Sequence, residues 1–273
     1  MEAWLLANST LTRLIAYAVI LLSMLALESK YSARPVRTLK CKRWANNLGL
    51  AWFSSLVTRL TIPALAFGAA VWAEQNQHGL LNNIHAPYWL KLVITVIVLD
   101  LVIYWQHRLM HAVPLLWRVH AVHHADSEVD ASTGGRFHPI EIALSMLLKM
   151  FCVLLLGCPA SAVIVFETLL NASAIFNHSN IRIPPTIEHL IRRFIVTPAQ
   201  HRIHHSVHLQ QTNSNFGFFL VTWDRIFKTY QEANEQEDKK FTLGLQLPKQ
   251  MNTIALEAMI KMPFIYPKSE TTT

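Results

Sequence analysis

Histidine is the residue type whose spacing in this chain points to chemistry. The 273 residues include 14 of them. His107-Arg-Leu-Met-His111 sets two imidazoles four residues apart, on one face of a helix. His120-Ala-Val-His123-His124 and His201-Arg-Ile-His204-His205 each set three at neighbouring helical positions. His138, in Arg136-Phe-His-Pro-Ile-Glu141, and His178, in Asn177-His-Ser-Asn180, complete the candidate set. Neutral imidazole suits iron, zinc and copper. A structural zinc takes four ligands and a catalytic zinc takes three plus water, so this set exceeds one zinc site. Two ions with about five ligands each would use it. A lone histidine is ordinarily a core or interfacial residue. Three boxes between positions 107 and 205 make a shared metal centre the better reading.

Metal-bound histidines normally donate their other ring N–H to a carboxylate or a carbonyl. Asp100, two turns before His107, is placed for that role, as are Asp126, Glu141 and Asp224. A solvated or capping acid is an equal reading of each. His78, His85, His189 and His208 fall outside the boxes and read as surface or interface residues. Cys41, Cys152 and Cys158 have no metal-type spacing and read as free thiols in a reduced compartment.

The elements that must position these residues read as membrane helices. The chain is 52% hydrophobic and 15% charged, whereas a soluble domain carries about a quarter charged residues. Trp4–Leu27, Leu48–Trp72 and Tyr88–Tyr104 are apolar enough to cross a bilayer. A cleaved signal peptide competes for the first, although no clean cleavage site follows. The apolar run 140–176 is too long for one crossing, and Gly157-Cys158-Pro159 near its middle predicts a helical hairpin. Glu167 inside that hairpin is costly at membrane depth; it either pairs with Lys149 or lines a substrate cavity.

Lys30, Arg34, Arg37, Lys40, Lys42 and Arg43 crowd one short segment. This reads as a cytoplasmic juxtamembrane loop meeting anionic lipid, rather than a nucleic-acid patch. Every histidine from His107 onward then falls on the cytoplasmic side. Thr186–Val196 is amphipathic and could lie in the headgroup plane. Thr197-Pro198 is a good helix start ahead of the third box. The expected fold is an all-α integral membrane protein of about four spanning segments including the hairpin, with a cytoplasmic histidine-rich helical cap.

The three boxes resemble those of the fatty acid hydroxylase/sterol desaturase superfamily, in its bacterial form. The flanking residues continue the likeness: Asp100, Tyr104-Trp105, Leu116-Trp117, Arg136-Phe137-His138-Pro139 with Glu141, Phe176 to Asn180, and Thr197-Pro198. Thr212-Asn-Ser-Asn215-Phe216-Gly217 and Trp223-Asp224-Arg225-Ile226-Phe227 with Thr229-Tyr230 extend it, over about residues 88–245. Lys228 departs from the glycine usual in the family after the Phe.

The resemblance implies two iron ions (Fe2+), O2 as co-substrate and an external electron donor such as a ferredoxin or a cytochrome b5-like protein. It also implies hydroxylation or desaturation of a membrane lipid: a fatty acyl chain, a sterol or a related isoprenoid. Fold membership does not choose the substrate. On this reading 1–87 are N-terminal membrane helices with the basic loop, 88–230 the catalytic domain and 231–273 a C-terminal extension. The expected setting is a bacterial inner membrane with the site facing the cytoplasm. A membrane zinc hydrolase is the competing enzyme, but the chain lacks His-Glu-x-x-His and that reading leaves most histidines unused. A metal transporter would carry its histidines within the spans.

Overall fold

The computed structural model describes residues 2–35, 40–62, 64–233, 242–248 and 251–266. Arg37 of the basic segment, Pro63 of the second apolar stretch and much of the C-terminal extension, Thr271–Thr273 included, lie outside the described residues. The described chain is helical, and its only strand-like pairings are isolated bridges. Among the described residues, five candidate spans are long and apolar enough to cross a membrane: Ser9–Lys30, Lys40–Asn82 (which takes in two separate helices), Tyr88–Ala112, Pro139–Leu156 and Ala160–His178.

The first helices are α1 (Glu2–Ala7), α2 (Ser9–Lys30), α3 (Lys40–Thr61) and α4 (Leu65–Gln75). Lys40, Lys42 and Arg43 therefore belong to the first turn of α3 and not to a loop. Arg43 is also buried, and its guanidinium meets Asp126 at 3.0 Å and Asp130 at 2.9 Å. It pairs within the protein and cannot serve as a lipid-facing charge, which corrects the juxtamembrane reading at that position.

α5 (Tyr88–Ala112) runs eight residues past the expected end at Tyr104. Nothing breaks it before Pro114, which forces Val113 into extended backbone and restarts the chain as α6 (Pro114–His124). The hairpin forms as α7 (Pro139–Leu156) and α8 (Ala160–His178). Gly157 closes α7 in the left-handed region at φ 66°, where a Cβ would meet the His78 carbonyl at 2.4 Å. The exposed side chains Leu144, Leu147, Phe151 and Leu155 recur along one outer face of α7, as Leu14, Ile15, Val19 and Leu22 do on α2. Such faces are costly in water and suited to hydrocarbon.

α8 is the central helix and packs on α2, α4 and α5. Ala160, Ala162, Ser173 and Ala174 let those neighbours approach closely. A 3-10 turn at Ala131–Gly135 lies against the same helix, where a Cβ on Gly134 would come within 2.7 Å of the Ala174 carbonyl. Glu167 pairs with Lys149 at 3.0 Å and also with Arg13, so of its two sequence readings the ion pair is the one formed. Beyond α8 come α9 (Pro185–Ile191), α10 (Pro198–His204), α11 (Leu209–Thr212), α12 (Thr222–Ile226) and α13 (Leu256–Ile265). α10 packs on α8, and α13 packs on α6 and α3.

Candidate metal centre

Four helices bring nine of the ten candidate histidines together. α5 contributes His107 and His111 from its last turns, and α6 contributes His120, His123 and His124. α8 ends on His178. α10 carries His201 and His204, with His205 just beyond it. Pro198 starts α10, and the Gln200 side chain accepts the Thr197 amide at 3.0 Å, which fixes where the third box begins.

The nine form two groups. His107, His111, His120, His124 and His204 make one; His123, His178, His201 and His205 make the other. Within each, the candidate ligand atoms lie within 4.8 Å of one another, and all nine residues are buried. The groups adjoin: the rings of His124 and His205 stack at 4.4 Å between centroids. His138 stands apart, although it belonged to the expected set. Its Nδ1 accepts the Ile140 amide at the start of α7, and its Nε2 donates to the Ile260 carbonyl at 3.2 Å. Both ring nitrogens are thus engaged away from the groups. His78, His85, His189 and His208 are exposed.

Backbone carbonyls orient four of the nine rings. Nδ1 donates to the carbonyl of Phe216 from His107 (2.8 Å), of Ser214 from His204 (2.8 Å), of Arg136 from His123 (3.3 Å) and of Ala174 from His178 (2.6 Å). A carbonyl only accepts, so each of these Nδ1 atoms carries the proton and each Nε2 presents a lone pair. His120 does the same through the Glu141 carboxylate at 2.7 Å.

The outward nitrogens fit bound metal. Nε2 of His107, His111, His120 and His204 is buried with no hydrogen-bond partner, as are both ring nitrogens of His124. In the second group, Nε2 of His178 faces Nε2 of His123 and of His201 at 2.9 Å and of His205 at 3.1 Å. His123 and His178 both turn bare lone pairs toward each other, which repel unless a cation lies between them. Imidazole nitrogens at about 2.1 Å from a divalent ion sit about 3 Å apart when they bind at right angles. Deep burial, reinforced by neighbouring imidazoles, holds His123, His124, His201 and His205 well below the usual histidine range and His204 at about 3. These rings are neutral at pH 7, the form a metal binds.

Of the four acids singled out in sequence, Glu141 touches a histidine directly. Asp224 acts at one remove, accepting the amides of Phe216 and Gly217 at 2.8 and 2.9 Å and so fixing the carbonyl that orients His107. Asp100 holds the same loop through the Leu220 amide and the Trp223 indole. Asp126 binds Arg43, Asn47 and Thr133 rather than a histidine. Burial would raise its carboxyl, but Arg43 and Arg136 hold it below the ordinary value. That network secures Arg136, which donates to the Asn47 side chain and to the Val122 carbonyl beside His123. Sequence reasoning gave Arg43 to the basic loop, missed Asn47, which lies in no motif, and missed the carbonyls, which have no side-chain signature.

A family model for fatty acid hydroxylase matches residues 92–229, about half of the chain and the whole of the histidine constellation. The chain belongs to the fatty acid hydroxylase family. Among curated relatives of this fatty acid hydroxylase family member, the ornithine lipid hydroxylase OlsE of Rhizobium tropici is 29% identical over 65% of this chain and 50% of its own length. Human alkylglycerol monooxygenase is 29% identical over 53% of this chain and 31% of its own. Sphinganine C4-monooxygenase 1 of Arabidopsis thaliana is 30% identical over 55% of this chain and 58% of its own. The chain thus spans about half the length of OlsE and less than a third of the human enzyme. No solved structure matches it significantly.

Proposed function

We propose that this chain is an O2-dependent oxidoreductase that hydroxylates a membrane lipid, with two iron ions held by His107, His111, His120, His124 and His204 and by His123, His178, His201 and His205. The observation that carries the reading is the pair of adjoining, buried, all-imidazole groups whose bare nitrogens converge. Such a donor set suits iron, and the nine ligands exceed what a hydrolytic zinc with three ligands and a water would use. The relatives named as lipid hydroxylases and monooxygenases support the same class of substrate and reaction. The segment 88–230 is assigned as the catalytic unit.

Bound iron would supply activation of O2 for attack on an unactivated C–H bond. The chain's part is to orient five of the nine rings through Glu141 and the four carbonyls, and to keep both groups dry by burial. Hydroxylation balances as R–H + O2 + 2 H+ + 2 e− giving R–OH + H2O. The two electrons come from an external donor, a ferredoxin or a cytochrome b5-like protein. The site is assigned to the cytoplasmic end of the helices in an inner membrane, a side that Lys30 at the end of α2 and Lys40 and Lys42 at the start of α3 also favour.

The test supplies 18O2, a reduced carrier and candidate lipids to the purified protein and reads products by mass spectrometry. Label in a new hydroxyl is the expected result. A new double bond without label would move the assignment to desaturation. Product oxygen drawn only from water, formed equally without O2, would overturn it.

A further inference from the structure

The end of α2 and the segment after α8 are clasped together by backbone hydrogen bonds. The Arg182 amide donates to the Tyr31 carbonyl at 2.7 Å, and the Ala33 amide donates to the Asn180 carbonyl at 2.9 Å. Asn180 adds side-chain bonds to Ser32 and to the backbone of Arg34. The clasp borders a pocket of about 470 Å³ that opens to the surface and is lined by Lys30, Tyr31, Ser32, Arg182 and residues 183–185. Its two charged residues are both cations. Among the described residues no carboxylate lies within ion-pair distance of either. Glu28, the nearest acid along α2, is buried, places Oε1 on the amides of Ala131 and Asn180, and does not line the pocket.

The pocket's surroundings suit a membrane surface. It sits at the terminus of a spanning helix, and Leu27 just before its lining residues and Ile187 just after them in sequence are exposed. Arg182 also lies only four residues beyond His178, so its Cα is at most about 14 Å from that of the histidine. Two cations without a carboxylate partner and the Tyr31 hydroxyl, in a concave site at the end of a spanning helix, match an oxyanion carried on a lipid.

We infer that this pocket binds the anionic headgroup, phosphate or carboxylate, of the lipid presented to the histidine groups. The inference rests on the lipid-oxidation reading for the word substrate, but the binding itself can be measured without turnover. Lys30 and Arg182 supply charge, the Tyr31 hydroxyl supplies a hydrogen bond, and the exposed apolar flank faces the acyl chains; the Ser32 hydroxyl is spent on the Arg34 carbonyl at 2.6 Å and shapes the clasp.

The experiment uses delipidated full-length protein in neutral detergent. Native mass spectrometry measures retention of phosphatidylglycerol and of phosphatidylcholine with identical acyl chains. Wild type should prefer phosphatidylglycerol, and Lys30→Gln with Arg182→Gln should weaken it by about thirtyfold. Arg193→Gln, an exposed cation outside the pocket, should leave it unchanged. Metal content should be the same in all; if the double variant loses metal, the two single variants decide. Equal retention of the two lipids, or wild-type retention by the Lys30 and Arg182 variants, would overturn the inference. Full displacement by millimolar inorganic phosphate would also overturn it, by making this a free-anion site. Charge-selective binding without oxidation of any lipid would instead leave the pocket standing and remove the proposed function.

Discussion

Glu141 and His138 sit three residues apart, yet they make opposite predictions. The Glu141 carboxylate accepts from Nδ1 of His120 and so fixes its tautomer and ring angle. Glu141→Gln keeps the shape but weakens the acceptor, and metal affinity should fall by about 10- to 100-fold. Chelator competition on the purified protein, read by metal analysis, checks this. His138→Ala should leave metal content unchanged, because that ring serves the start of α7. Its cost should be stability alone, about 1 kcal/mol for a lost cap. His204→Ala should remove both iron and activity, whereas His208→Ala, at an exposed ring, should change neither. Equal losses in those two variants would contradict the ligand assignment.

At the scale of elements, the hairpin depends on one backbone conformation. Gly157 has φ 66° and faces the His78 carbonyl and the Asn82 side chain at distances no Cβ tolerates. Gly157→Ala should therefore destabilise the protein by roughly 1–3 kcal/mol, seen as a lower midpoint in thermal unfolding in detergent. Gly68→Ala is the matched control. It lies inside α4, where an added Cβ would meet only the Ala64 methyl at 3.8 Å. There the change should be neutral or stabilising by about 0.5–1 kcal/mol.

Across the whole molecule, two features separate the ends of the helices. α5 is 25 residues long, or about 37 Å at 1.5 Å per residue. His78 lies by the Gly157 turn near one end of it, and the histidine groups gather at the other. In a cysteine-free background, His78→Cys should react with a membrane-impermeant thiol reagent in intact cells and His208→Cys should not; both positions are exposed. Labelling of position 208 from outside would reverse the proposed orientation. Between the ends, Glu167 holds Lys149 and Arg13 inside the helix bundle. Glu167→Gln leaves the buried Lys149 and the half-buried Arg13 without their carboxylate and should cost about 3–5 kcal/mol in unfolding measurements. Replacing all three with apolar residues of similar volume should recover most of that loss.

The sequence by itself determined the candidate histidine boxes, because imidazole spacing on a helix is local: residues three and four apart must share a face wherever the helix goes. It also determined the hairpin, since Gly157 and Pro159 interrupt an otherwise continuous apolar run. Tertiary structure decided what spacing does not encode. It divided the nine histidines between two groups, splitting the neighbours His123 and His124, and His204 and His205, because adjacent helical positions point about 100° apart. His138 fell outside both groups, since its place at the start of α7 directs the ring to the Ile140 amide and the Ile260 carbonyl. Arg43 went from the expected loop into an ion pair with Asp126 and Asp130, 83 and 87 residues away in sequence. Four of the nine rings are oriented by backbone carbonyls. Every residue carries such a carbonyl, so only the folded path of the chain shows which of them meets a histidine.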